Sequence, residues 1–223
     1  MLRPELLRLP KNESGRDFVV GDIHGYVSRL MQQLDVVGFN PLTDRVICTG
    51  DLIDRGPESA DALNLLDEDW FYSVMGNHEY LMLSALKGKN SRDKMTWLNQ
   101  GGSWIASTSP ELWAHWFELL EALPLAIEVQ GHDDKTYGIV HADYPHAQWS
   151  EFAYLTPEQQ QKCIWSRRHF ESRSPHVVNG VDYLIHGHSV IGESDRDGGL
   201  QLGNRIYIEP GVYLGQDFII RGI

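Results

Sequence analysis

Acidic, amide and imidazole side chains gather in four short polar islands, each placed after an apolar run. They are Gly21-Asp22-Ile23-His24-Gly25, Gly50-Asp51-Leu52-Ile53-Asp54-Arg55-Gly56, Gly76-Asn77-His78-Glu79 and His141-Ala142-Asp143, and a fifth, His186-Gly187-His188, comes near the end. Oxygen and nitrogen donors without thiolate suit hard and borderline divalent ions such as manganese, iron or zinc. Arginine beside such ligands points to bound metals that handle phosphate.

In an extended segment positions i and i+2 point the same way, so Asp22 and His24 can chelate one ion while Gly25 frees the chain to turn. The same residues also make an ordinary polar turn ahead of a helix. Asp51 can bridge two metals through its two oxygens, or serve turn chemistry between Gly50 and Gly56. Asn77 offers a neutral oxygen ligand or a helix N-cap, and His78 an imidazole beside it. His141 and His188 follow apolar runs and, taken singly, read as structural histidines as readily as ligands. His186 either faces the site or ends a strand. Asp54 and Arg55 alone make a local ion pair. The set is what discriminates: 24 residues separate Gly25 from Gly50 and 19 separate Gly56 from Gly76, room each time for one helix and one strand.

Residues 17–20, 45–49 and 71–75 read as strands, alternating with helical spacing over 28–37, 60–66 and 79–86. This β-α-β-α-β pattern is that of a sheet covered by helices. The islands fall at the C-terminal ends of strands, where α/β folds gather ligands. Residues 113–120 read as helix, with Trp113, Trp116 and Phe117 at core spacing. Residues 125–129, 137–140, 183–185, 205–208 and 218–220 read as strands. The expected architecture is α/β (α+β), two sheets flanked by helices with metals at one sheet edge. No linker or repeat divides the chain, which reads as one catalytic domain over residues 1–223 with 1–16 as an N-terminal arm.

The chain has 223 residues, 42% hydrophobic, enough for one large domain with a substantial core. Its net charge of -12 argues against a general nucleic-acid or anionic-membrane binder, since both need basic surface. No apolar run approaches the roughly 20 residues that span a bilayer, and the N-terminus lacks a signal-peptide core, so a cytoplasmic location is expected. Two cysteines, Cys48 and Cys163, make no disulfide framework and read as buried thiols. Neither starts a cysteine-phosphatase loop, because Asp54 and His169 stand where that loop needs Arg. His78-Glu79 lacks the second His of a metalloprotease helix, and no Walker-type loop is present.

From about Phe18 onward, the ordered motifs Asp-x-His-Gly, Gly-Asp-x-x-Asp-Arg-Gly and Gly-Asn-His-Glu resemble the metal-dependent serine/threonine phosphoprotein phosphatases, in the small bacterial and phage branch related to phage lambda phosphatase. His141-Ala142-Asp143-Tyr144-Pro145 and Ile164-Trp165-Ser166-Arg167 look like that branch's versions of later motifs. The resemblance implies a calcineurin-like metallophosphoesterase fold, a two-sheet β-sandwich flanked by helices. It implies one metal on Asp22, His24 and a bridging Asp51, and a second on Asp51, Asn77, His141 and His188. Arg55 and Arg167 would hold phosphate oxygens, His78 would protonate the leaving alkoxide, and Asp54 would orient it. Two divalent ions, manganese first with iron, zinc, nickel or cobalt as alternatives, would turn a water into the attacking hydroxide. Metals and arginines together make the pocket positive, which reconciles the acidic chain with an anionic substrate.

The implied activity is hydrolysis of phosphoserine and phosphothreonine, extending to phosphotyrosine, on phosphoprotein or phosphopeptide substrates without an obligate regulatory subunit. The alternative is a dinucleoside polyphosphate or other nucleotide hydrolase of the same superfamily. Asp54 before Arg55 looks like the protein-phosphatase branch, because the resembling tetraphosphatases tend to carry a small residue there. A non-catalytic module on this fold is a third reading, disfavoured because every ligand position is filled. Glu209-Pro210-Gly211 stands where the family usually has an Asp-Thr-Gly-like segment. Trp97-Leu98-Asn99-Gln100-Gly101-Gly102 resembles a stretch near the family's substrate groove, but as residues it reads as a core Trp and a turn. Arg167-Arg168-His169, Arg173 and His176 form a locally basic stretch, a rim of the site or a solvated face.

Overall fold

The computed structural model describes Leu2 and residues 5–223. Apolar runs with strand alternation build two sheets. After β1 (Leu6–Leu9), the chain repeats strand and helix: β2 (Asp17–Val20), α1 (Val27–Val36), β3 (Arg45–Cys48), α2 (Ser59–Asn64), β4 (Phe71–Ser73), α3 (Asn77–Met82). Two further helices follow, α4 (Ser91–Asn99) and α5 (Pro110–Ala122), then β5 (Ala126–Gln130) and β6 (Thr136–Ile139). The last third holds α6 (Pro157–Trp165), α7 (Arg168–Glu171), β7 (Tyr183–Val190), β8 (Leu200–Leu202), β9 (Arg205–Glu209) and β10 (Ile220–Gly222).

One sheet runs β10-β2-β3-β4 and the other β1-β5-β6-β7-β9-β8. β2, β3 and β4 are parallel, as are β6, β7 and β9, so each sheet brings the C-terminal ends of several strands to one edge. Side chains alternate across each sheet. Val19 and Ile47 enter the cluster between the sheets with Ile127, Ile139, Ile185 and Ile206. Their neighbours Val20, Val46 and Cys48 face the other way, onto Leu30, Leu34 and Leu63 of the covering helices. Truncating one such branched side chain, Ile47→Ala for example, removes about 2–5 kcal/mol.

The sequence reading placed most of these elements within a few residues, and it missed α4, α6, α7 and β8. Asn90 caps α4 by accepting from the Arg92 and Asp93 amides, and Thr156 caps α6 in a box with Gln159. Both signals stand in the sequence, but they are local and polar, and apolar spacing does not reveal them. Of the N-terminal arm, Met1, Arg3 and Pro4 lie outside the described residues. Leu6–Leu9 is no arm: it pairs in parallel with Ala126–Val129 as an edge strand of the larger sheet. Among the described residues no helix is long and apolar enough to cross a membrane.

Candidate active site

The islands meet where the two sheet edges face each other. Val20 leads into Asp22 and His24, Cys48 into Asp51, Ser73 into Asn77 at the start of α3, and Ile139 into His141. The fifth island differs from expectation: His186-Gly187-His188 lies inside β7, whose pairing with β9 is interrupted between His186 and Val190. His188 adopts φ 60°, so the strand twists there and the two histidines part company. His188 turns to His141, whereas His186 donates Nδ1–H to the Val140 carbonyl and stacks on Tyr207. Between them Gly187 allows contact between the sheets, since a Cβ there would stand 2.0 Å from Asp22 Oδ1. The close approach lets the His188 amide donate to Asp22 Oδ2 at 2.9 Å.

Three imidazoles are fixed from behind by backbone carbonyls. His24 Nδ1 bonds to Ile53 O at 3.0 Å, His141 Nδ1 to Thr49 O at 2.8 Å and His188 Nε2 to Trp165 O at 3.3 Å. Each bond takes one N–H and leaves the opposite nitrogen a lone pair aimed into the site. Around His141 Nε2 stand Asn77 Oδ1 at 3.0 Å, His188 Nδ1 at 3.1 Å and Asp51 Oδ1 at 3.4 Å. Four acceptors converging on one point repel one another unless a cation or a proton lies among them, which is the donor set a divalent ion fits. The second oxygen, Asp51 Oδ2, faces the other way, 3.8 Å from His24 Nε2 and 3.9 Å from His78 Nε2. Asp51 thus presents one oxygen to each cluster, and the donor atoms within each cluster, His24/Asp51/His78 and Asp51/His141/His188, lie within 4.8 Å of one another.

Asp22 falls outside both groups; its carboxylate takes the Thr49 hydroxyl at 3.0 Å and the His188 amide. Burial lifts its carboxyl to about 7. Burial also pushes Asp51 up, but His141 and His78 outweigh it and hold that carboxyl well below the ordinary range. Burial lowers His141 while Asp51 overrides it, raising the imidazole to about 9; here a proton serves the acceptor cluster. Burial, then the charge of His141, drops His188 to about 2. His78 is lowered by burial and raised more by Asp51 and Asp54, for a net rise.

His78 Nδ1 meets Asp54 Oδ2 at 2.5 Å, and both side chains are fully buried. Exposed Arg55 donates to His24 Nε2 at 2.7 Å and to His78 Nε2 at 3.1 Å. Its guanidinium lies 4.2 Å from the Tyr213 ring centre, a cation–π contact the sequence reading passed over. Exposed Arg167 donates to the His188 carbonyl at 3.2 Å. Arg55 and Arg167 line one polar pocket together with Asp51, Asn77, Gln100, Trp165 and His188. Of the basic stretch, Arg167 reaches this pocket and His169 pairs with Asp143 at 2.7 Å.

Buried carboxylates outside the donor clusters hold the loops. Glu79 accepts from the amides of Asp51 (2.9 Å), Leu52 (2.8 Å), Ile53 (3.3 Å) and Gly76 (3.1 Å). Glu209 accepts from the Asp22 and Gly211 amides at 2.9 and 2.8 Å, so the departure at Glu209-Pro210-Gly211 ties the first island to the loop carrying Tyr213. Asp143 joins Ser166, His169 and Arg205, linking the His141 loop to that of Arg167. Glu79 stood in the quoted motif without a role. Nothing local in the sequence marks Tyr213, 158 positions beyond Arg55.

A two-sheet sandwich with paired histidine–carboxylate clusters between sheet edges defines a metallophosphoesterase. Residues 18–192 match the calcineurin-like phosphoesterase family, and the chain belongs to it. It is a metal-binding hydrolase of phosphoesters. It is 36% identical over 200 residues to serine/threonine-protein phosphatase 2 of Escherichia coli K12, covering 87% of this chain and 86% of that one. A shorter likeness, 40% over 73 residues, joins it to the symmetrical bis(5'-nucleosyl)-tetraphosphatase of Erwinia tasmaniensis, covering 32% and 27% of the two chains. In fold it is similar to a protein serine/threonine phosphatase from Saccharomyces cerevisiae, with a TM-score of 0.62 at 16% identity over 92% of this chain and 70% of that one.

Proposed function

We propose that this protein is a manganese-dependent phosphoprotein phosphatase acting on phosphoserine and phosphothreonine, and extending to phosphotyrosine. The observation that carries the reading is the buried Asp54–His78 pair beside two exposed arginines in one polar pocket. In this reading Asp22, His24 and Asp51 hold one ion, and Asp51, Asn77, His141 and His188 a second. Bound there, two divalent ions, manganese or else iron, zinc, nickel or cobalt, supply an acidified water and neutralise phosphate charge. Arg55 and Arg167 grip the phosphate oxygens, Arg55 leaving the imidazoles it now contacts. Asp54 holds His78 so that a proton on Nε2 reaches the leaving oxygen as the P–O bond breaks. The substrates are cytoplasmic phosphoproteins, met by one catalytic domain without an obligate regulatory subunit.

The local likeness to a tetraphosphatase supports a second reading, hydrolysis of dinucleoside polyphosphates. One assay separates them: metal-stripped protein, with and without manganese, given a phosphothreonine peptide, diadenosine tetraphosphate and an aryl phosphate. Peptide turnover restored by manganese and far above tetraphosphate turnover is the expected result. The reverse ranking moves the assignment to the nucleotide hydrolase, and no turnover with any ion rejects both.

A further inference from the structure

Asp54 receives more than His78. Its Oδ1 accepts the Trp104 indole N–H at 2.7 Å, and its Oδ2 accepts the Trp97 indole N–H at 2.9 Å. An indole is a donor only, so a buried one demands an acceptor, and here two demand the same carboxylate. The rings are set by packing: Trp97 and Trp104 meet edge to face with centres 6.4 Å apart, and Trp104 leans on buried Trp116 at 5.8 Å. The turn that follows α4 is pressed against the same place. Gly101 has φ 114°, and a Cβ on it would stand 2.6 Å from the Arg55 amide. A Cβ on Gly102 would stand 2.4 Å from the Trp97 ring. The segment from Trp97 to Gly102 therefore closes over Asp54.

We propose that Trp97 and Trp104 are positioning residues of the hydrolytic reaction, an indole clamp that fixes the Asp54 carboxylate against His78 Nδ1. The clamp rests on the reading of His78 as proton donor given above. Its chemistry is particular. An Arg or Lys donor in the same place would bring a positive charge, weaken the hold of Asp54 on the imidazolium and lower its pull on the proton. Indoles fill both carboxylate oxygens with hydrogen bonds, exclude water and add no net charge, so the negative charge remains directed at His78. In the step they serve, water oxygen bonds to phosphorus, the P–O bond to the alcohol breaks, and the leaving oxygen takes the proton from His78 Nε2. The water's displaced proton goes to solvent, and His78 recovers one, leaving alcohol and inorganic phosphate.

The test compares leaving groups in the full-length, manganese-loaded protein. Trp104→Phe keeps an aromatic ring at this half-buried position and removes the N–H together with the pyrrole part of the indole. Against a phosphothreonine peptide, whose alkoxide needs a proton, kcat/KM should fall about 10- to 100-fold, a part of the 10²–10⁴ that a general acid supplies. Against p-nitrophenyl phosphate, whose phenolate departs without one, it should fall less than about 3-fold on the same argument. Trp97→Phe should behave alike, and if that fully buried position does not tolerate the change, Trp104→Phe carries the comparison. Equal losses on both substrates, or no loss on the peptide, overturn the clamp. His78→Asn run beside it separates the two readings. A selective loss there with none in Trp104→Phe rejects the clamp alone, while equal losses on both substrates in His78→Asn remove the proton donor itself. Independently of turnover, Asp54→Ala should move two indole N–H resonances in the metal-free protein, those deleted singly by the two Phe variants; unmoved resonances reject the contact.

Discussion

Glu79→Gln tests whether a buried carboxylate holds the site's loops together. In the native protein Oε1 takes the Leu52 and Ile53 amides, and Oε2 those of Asp51 and Gly76. Burial, with Asp51 next, lifts this carboxyl to about 7, yet all four neighbours are N–H donors, which only an acceptor satisfies. Glutamine keeps one oxygen. Its NH₂ must face two amides, leaving two buried N–H groups unpaired at about 1–3 kcal/mol each, or about 4 kcal/mol together. For a domain of this length about 4 kcal/mol corresponds to a Tm lower by roughly 8–16 °C. Because those amides place Asp51 and Asn77, manganese affinity should also weaken by about 10- to 100-fold, as loss of a ligand's supporting partner does. Differential scanning calorimetry of the metal-free protein and manganese titration read the two effects separately. A Tm drop below about 4 °C with unchanged affinity would refute the reasoning, since two stranded amides cost at least about 2 kcal/mol, or about 4 °C.

Asp51→Asn, which removes the charge facing both donor clusters, should sharply lower manganese occupancy by elemental analysis together with turnover; an active, fully metallated variant would sink the bridging role. Arg55 has φ 70°, so Arg55→Gly should unfold about 1 kcal/mol later than Arg55→Ala in urea while both lose phosphate affinity; equal stabilities would mean that the turn relaxes. Burial raises the Asp44 carboxyl, but Arg16 outweighs it and sets it below its usual 3.8. A depressed folded value means stability present above that pH and lost as pH falls through it, so Asp44→Asn should flatten the stability curve below about pH 4 in urea titrations. Burial pushes the Cys48 and Cys163 thiols up, so a thiol reagent at pH 8 should label neither in the native protein and both in denaturant; rapid native labelling would contradict their burial.

What was legible in the sequence were residues whose types announce chemistry. Asp51, His141 and His188 meet in one cluster, as their placement after apolar runs implied. Period-two alternation does not by itself pair Asp22 with His24: His24 takes φ 46° and stands beside Asp51 and His78, while Asp22 accepts from Thr49 and the His188 amide. It is the motif, not the alternation, that assigns both to one ion. A period-two rule holds only where the backbone stays extended, and these loops do not. His186 was undecidable for the same reason, its fate resting on the irregularity at His188. Trp97 was read as core, and it is fully buried; its donor to Asp54 was invisible because the partner lies 43 positions away. Supporting contacts of this kind depend on register between segments, which no single motif encodes.

Among the described residues, eight non-glycine positions have positive φ, and five of them are His24, Asp51, Asp54, Arg55 and His188. Each such residue holds about 1–2 kcal/mol of strain, so five together approach the whole net stability of an ordinary domain. Glycine would remove the strain and also the donor. The side chain is needed at the chain reversal itself, because only there can groups from separate strands turn back on one point. Something must then hold the reversals shut, and the buried carboxylates do. Glu79 grips the loop through Asp51, Glu209 grips Asp22, and Asp54 Oδ1 and Oδ2 are gripped in turn by two indoles. Acidic groups suit this task, since each accepts from several amides at once. Part of the chain's acidic composition is therefore structural, buried beneath Arg55 and Arg167, which stay exposed beside the donor clusters.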